Sequence, residues 1–417
     1  MPAAHLNERL SVLHPGAFTM LSPMARRAYL PLGIPQQAAQ ARNVLRKATI
    51  GEITDGAGNP LAIPSLARHF PTLDPKLALL YPPQYGLPDL RTAWRDALHE
   101  ADTPTSNPVV TAGITHALSL CGELFTGPDV PLIVGVPYWD NYELIFSLKT
   151  GCPIVTYPFF DAERRFNVEG LVAAARGVNG PSCILLNFPS NPTGYSPYPG
   201  EVEALVEALR GLPHPVAVVC DDAYNGLYFD PKLHGRSVFG ALSRGLDPAR
   251  AIVCKVDGAT KELVFFGGRV GFLTFSAEGE AGEILAEKAA TLVRAGISTV
   301  SAPSQAVVLD ALRSPTLAAE RQSMHDILER RYHALRAAFE AHDVKTWPYN
   351  SGCFAVIEIP PHLDCERVRQ QLIHDQSVGV IAVPQVNGLR VAFCSIEAED
   401  IPDLVARLVQ GVREARP

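Results

Sequence analysis

Charge is scarce in this sequence: Asp, Glu, Lys and Arg make up 19% of 417 residues, and no basic run exceeds Arg26-Arg27. With a formal net charge of −7, the chain lacks the electrostatic footprint of a nucleic-acid or anionic-membrane binder. Apolar runs of membrane-spanning length are missing, and the opening MPAAHLNERLSVLHPG has no basic region followed by an apolar core. The eight cysteines (Cys121, Cys152, Cys183, Cys220, Cys254, Cys353, Cys365 and Cys394) form no Cys-x-x-Cys pair and have no histidine pair at ligand spacing, so no metal site is expected. Most lie in apolar stretches such as PSCILLN and AVVCDD, the setting of buried free thiols in a reducing compartment, which makes a cytoplasmic location the expectation. There is no Walker A loop, no His-Glu-x-x-His and no Gly-x-Ser-x-Gly, so phosphate-loop, zinc-protease and serine-hydrolase chemistry lack their minimum parts.

What is present is a globular composition, 47% hydrophobic with 36 prolines, on a chain longer than one core usually supports. The expected division is a large domain over 61–310 and a smaller one from 1–60 together with 311–417. Short β-branched runs (130–136, 183–188, 216–220, 251–256 and 270–275) alternate with helical patterns, which predicts an α/β fold around a mainly parallel sheet flanked by helices. From about residue 311 a long helical stretch, the run FAVIEI, a helix over 364–375 and LRVAFCSI predict a smaller α+β unit. In open α/β sheets ligands gather beyond the carboxyl ends of strands, so 187–194, 221–224 and 257–261 should converge on one crevice.

Each of those strand ends carries residues with two readings. Asn191-Pro192-Thr193-Gly194 is either an ordinary proline turn or a recognition loop. The carboxylates of CDDAYNG (220–226) are either helix caps or a partner that keeps a pyridine nitrogen protonated. In DGATKELVFFGGRVGF (257–272), Lys261 is either a solvated charge or an amine able to bond a carbonyl cofactor. Arg269, eight residues on, has the planar fork that suits a phosphate.

The three segments, in this order, resemble the class I aminotransferases, enzymes of fold type I that use pyridoxal 5′-phosphate. The resemblance runs from about Gly51 to Arg390 and implies a seven-stranded-type sheet. It makes Lys261 the Schiff-base lysine, sets Asp221 rather than Asp222 at the ring nitrogen and Tyr224 beside the ring's phenolic oxygen, and puts Arg269 on the phosphate. It further implies a phosphate cup at Gly113, Ile114 and Thr115, an aromatic stacked on the ring at Trp139, and Asn191 touching cofactor and substrate. Arg390, in the otherwise apolar GLRVAF, would take the substrate α-carboxylate, with Gly51 leaving room opposite. Tyr81 would reach the phosphate across a homodimer interface. Arg294, followed four residues later by Ser298, is similar to the partner-subunit arginine that grips a distal carboxylate in aspartate aminotransferases; otherwise it is a helix-terminal charge.

The sequence departs from the family at Gly258, where a serine or threonine usually donates to the phosphate. Thr260 or Thr115 is the expected substitute, and serine at 258 is expected to be tolerated. The implied reaction moves an amino group from an L-amino acid, a dicarboxylic one by Arg294, to a 2-oxo acid. Aromatic or small neutral substrates, β-elimination or decarboxylation on the same scaffold, and a cofactor-binding regulatory protein remain as rivals.

Overall fold

A computed structural model describes residues 2–13, 33–49, 80–98 and 103–416 and, between 51 and 74, residues 51, 53–57, 59, 61, 63–68, 73 and 74. A short strand, β1 (Arg46–Lys47), precedes the seven that build the main sheet. These are β2 (Val109–Thr111), β3 (Leu132–Val136), β4 (Ile154–Pro158), β5 (Ser182–Asn187), β6 (Val216–Asp221), β7 (Ala251–Gly258) and β8 (Gly271–Phe275), in the spatial order β4-β3-β5-β6-β7-β8-β2. Strands β4, β3, β5, β6 and β7 run parallel, and β8 is antiparallel to both β7 and β2.

The central parallel strands β5 and β6 are buried along their length because helices cover both faces, which explains the unbroken apolar runs SCILLN and VAVVCD. Successive residues feed opposite cores: Leu185 and Val219 enter one cluster, while Ile184, Leu186, Val218 and Cys220 enter the other. Two strands went unread in the sequence. Val109–Thr111 is too short for a period to register, and Ile154–Pro158 is a half-exposed edge strand. All eight cysteines are free and buried.

The second unit contains β9 (Phe354–Glu358), β10 (Val378–Gly379), β11 (Ile381–Val383) and β12 (Gly388–Ala392). Strands β11, β12 and β9 form an antiparallel sheet in that order, and β1 pairs in parallel with β10, which joins the 33–49 segment to the C-terminal part of the chain. LRVAFCSI is not one strand, since the extended run stops at Ala392 and a 3-10 turn takes Phe393–Ser395. The helices Leu317–Ala341 and Ile401–Glu414 pack against each other beside this sheet.

Gly194 fixes how the two sheets meet. At φ +76° it holds a conformation that L side chains rarely adopt, and a Cβ there would stand 2.1 Å from the carbonyl oxygen of Phe354. The 191–194 turn therefore lies directly on the start of β9. That contact brings Arg390, the neighbour of Val356 across the β12–β9 ladder, to the ends of the parallel strands.

Candidate active site

Strands β5 and β6 end level with one another, Asn187 beside Asp221, and Asp221 in turn pairs with Val256 of β7, two residues before that strand ends. Level ends bring the residues that follow onto one floor. Asn187 locks that floor, because its Nδ2 donates to the Asp221 carbonyl oxygen at 2.8 Å while its Oδ1 accepts the Asn191 amide at 2.6 Å. Beyond the strand ends opens a cleft of about 460 Å³. Asn187, Asn191, Asp221, Tyr224, Thr260, Lys261, Arg269, Ile114, Thr115, Trp139, Arg390 and Gly51 all line it.

Asp221 is buried, and its carboxylate accepts from the Tyr142 hydroxyl at 2.6 Å and from the Ala223 amide at 3.2 Å. The second bond is the turn-capping contact of the bland reading; the first aims the other oxygen. Burial pushes the Asp221 carboxyl up, against the pull of the Tyr142 hydrogen bond and the Lys261 charge. The same burial pushes the Lys261 amine down, with Asp221 opposing it. The Lys261 Nζ stands 5.1 Å from the centre of the Tyr224 ring. A carboxylate and an amine whose proton affinities are both moved toward neutrality by one dry floor are suited to holding and passing protons.

Asp222 turns away from this cleft. It accepts from Ser237 Oγ at 2.5 Å and lies 3.4 Å from the buried Lys255 Nζ, which also bonds Asp257. Trp94 Nε1 donates to Asp257 at 3.1 Å. Burial lifts the Asp222 carboxyl to about 7.

Arg390 is 2% exposed, with its guanidinium 4.2 Å from the centre of the Phe354 ring. Its Nη1 donates to Asn191 Oδ1 at 2.7 Å and its Nη2 to the Thr49 carbonyl at 2.7 Å, whereas its buried Nε has no partner. An anion in the cleft would satisfy it. Gly51 faces the same ring, and a Cβ there would come within 2.6 Å of Phe354 Cζ.

The far end of the floor has the outline of an anion cradle. Ile114 and Thr115 open the helix Ile114–Phe125, so their amides have no carbonyl within it to bond. His116 Nδ1 accepts the Ala112 amide at 3.0 Å and so fixes the turn before them. The Arg269 guanidinium lies over Gly113, where a Cβ would stand 2.3 Å from its Nη2. Thr260 Oγ1 is buried without a partner. Amides, an arginine fork, an orphaned hydroxyl and the half-buried Trp139 fit a phosphorylated aromatic cofactor such as pyridoxal phosphate.

Gly258 corrects one expectation, since serine would not be tolerated there. A Cβ would meet the Val270 carbonyl oxygen at 2.7 Å and the Gly271 Cα at 2.8 Å, both of them backbone atoms. The end of β7 lies against the start of β8 too closely for any side chain, which leaves Thr260 as the hydroxyl nearest in sequence that lines the cleft.

Two sequence candidates fall outside the cleft of the single chain. Tyr81 is 89% exposed, and Arg294 is exposed near the end of the helix Gly279–Ile297, where its Nη1 bonds Ser298 Oγ at 3.1 Å. Conversely, Tyr142, Phe354, Asp140 and Gln36 belong to the site and had gone unremarked. None of the four belongs to a motif that marks it in the sequence.

A model of the family described as aminotransferase class I and II matches residues 47–408. The chain is 26% identical over 236 residues to the probable aspartate/prephenate aminotransferase of Rickettsia conorii, covering 55% of each protein. It is 24% identical over 267 residues to the asparagine–oxo-acid transaminase of Streptococcus mutans, covering 62% of this chain and 64% of that one. It thus spans a little over half the length of these curated relatives. In fold it is similar to an aminotransferase from Anaerococcus prevotii, with a TM-score of 0.84 at 22% identity over 94% of this chain and 98% of that one.

Proposed function

This chain belongs to the class I and II aminotransferases, and we propose that it moves an amino group between an L-amino acid and a 2-oxo acid with pyridoxal phosphate. The observation that carries this reading is the meeting in one cleft of Asp221 at the end of β6, Lys261 in the turn of helix just past the adjacent β7, and Arg390.

Ile114, Thr115, Thr260 and Arg269 would hold the cofactor phosphate, Trp139 would cover the ring face, and Tyr224 would stand by the ring oxygen. When bound, the cofactor supplies a carbonyl for the amine and an electron sink for the carbanion at the substrate Cα. Asp221, fixed by Tyr142, keeps a proton at the ring nitrogen. Arg390, already oriented by Asn191, Thr49 and Phe354, receives the α-carboxylate and thereby aims the Cα bond. Lys261, its amine pushed down by burial, would serve as the base that takes the proton from the substrate Cα and as the acid that gives it back. In the second half-reaction the same residues act in reverse order on the 2-oxo acid.

Tyr81 and the neighbouring Leu80, 89% and 65% exposed, support a homodimer in which Tyr81 serves the partner's phosphate site. A dicarboxylic substrate needs a second cation, and Arg294 serves only when a partner subunit presents it. The relatives named for aspartate and asparagine support a four-carbon polar donor. The eight free buried thiols support a cytoplasmic enzyme, and no helix among the described residues is long and apolar enough to cross a membrane. The test is product analysis with amino acid donors, with and without a 2-oxo acid. Transamination yields a new amino acid only when the 2-oxo acid is supplied; release of ammonia or carbon dioxide without it would move the chain to elimination or decarboxylation.

A further inference from the structure

The cleft has a wall that the reaction above leaves unused. Arg390 would occupy itself with an α-carboxylate, and Lys261 and Arg269 with the cofactor, so a substrate side chain would extend toward Asp140, Asn141, Leu144, Ile34 and Gln36. Asp140 opens the helical segment after Trp139. Asp140 keeps contact with solvent, but partial desolvation against the cleft raises its carboxyl, and Arg390 is the largest of the groups that pull it back, so the two charges feel each other. Gln36 lines the same cleft, and its buried Oε1 has no partner. Oxygen acceptors thus face the space where a side chain would end. A second carboxylate arriving there would meet like charge, whereas an amide N–H would find an acceptor.

We propose that Asp140, together with Gln36 of the same cleft, selects a substrate side chain ending in a carboxamide over one ending in a carboxylate. The inference rests on the aminotransferase reading for its chemistry, but not for its binding step, which needs only the α-carboxylate on Arg390. Asp140 also sits where a helix N-cap stands, so its charge and its capping role must be separated. Asparagine caps as well as aspartate does, and Asp140→Asn removes the charge alone.

The experiment measures kcat/KM for asparagine and aspartate with one 2-oxo acid, using the holoenzyme and its Asp140→Asn variant. Calorimetry gives the Kd of succinamate and succinate, unreactive analogues that lack the amino group. Wild type should favour asparagine and succinamate. Asp140→Asn should shift both ratios toward the dicarboxylate by about tenfold or more, mainly through KM, with an unchanged melting temperature. Unchanged ratios in the variant would overturn the proposal. So would a wild-type preference for aspartate that disappears in Arg294→Ala, which would give the side-chain end to Arg294. Preferential binding of succinamate, lost in Asp140→Asn, in a protein that moves no amino group would uphold this inference while sinking the aminotransferase reading.

Discussion

The floor of the cleft and its far wall are built on different principles. On the floor, Asn187, Asn191, Asp221 and Arg390 are tied to one another or to backbone through bonds of 2.6 to 2.8 Å, on strand ends held level by the ladder. The wall is assembled from a helix start at Asp140 and from Ile34 and Gln36 of the 33–49 segment, and the buried Gln36 Oε1 there has no partner. The floor constrains chemistry and tolerates few residue types. The wall meets a side chain that differs between substrates, and its residues are free to vary with it.

The largest effect that sharpens this contrast belongs to Lys261. Lys261→Ala should lower turnover by more than about 10⁴-fold, because both covalent and proton-transfer functions of the amine are lost. Single-turnover measurements with excess cofactor check it, and near-normal activity would remove Lys261 from the floor. Asp221→Ala should follow, with a loss of about a hundred- to a thousandfold at saturating substrate, since only the bias on the ring nitrogen disappears. Asp222→Asn should cost far less in kcat, and the reverse ranking of these two would show that the floor begins one residue later.

Gly258→Ser tests whether the floor is as tightly built as its backbone contacts indicate. The added side chain should destabilise the protein by about 1 to 3 kcal/mol and weaken cofactor binding, read by chemical denaturation and cofactor titration. Unchanged stability would mean that β7 and β8 can separate at little cost.

The smallest effect concerns pH. Glu262, beside Lys261 in sequence, is buried; one oxygen meets Arg321 at 3.3 Å and the other has no partner. Burial lifts its carboxyl from the ordinary 4.5 of a glutamate to about 8. The folded protein therefore binds a proton that the unfolded chain has released between those values. The resulting stabilisation is complete below about pH 4.5 and is lost as pH rises through about 8. Glu262→Gln, always neutral, should flatten the fall in melting temperature between pH 5 and 8. An equally steep fall in the variant would assign the dependence to Asp222, lifted to about 7 in the same cluster.

The same contrast explains what the sequence disclosed. Floor residues were legible because the chemistry demands particular types: an amine just past β7, a carboxylate at the end of β6 and an arginine inside the apolar run of β12. Tyr142 was not legible, since a tyrosine in an apolar helical stretch is ordinarily core and only its 2.6 Å bond to Asp221 reveals its task. Gly258 looked like a missing hydroxyl until the approach of β8 showed that the position has no room for one. Asp140 and Gln36 lie far apart in sequence and belong to no motif, so folding alone brings them to one wall. Tyr81 and Arg294 lie outside the cleft of the single chain, and the roles proposed for them need a second chain, which no feature of a single sequence positions.

The most direct measurement is to reduce the cofactor-loaded protein with borohydride and map the phosphopyridoxyl group by peptide mass spectrometry. The group should be on Lys261 and be absent from the buried Lys255. Attachment to another lysine, with Lys261 unmodified, would contradict the assignment of the floor and the function built on it.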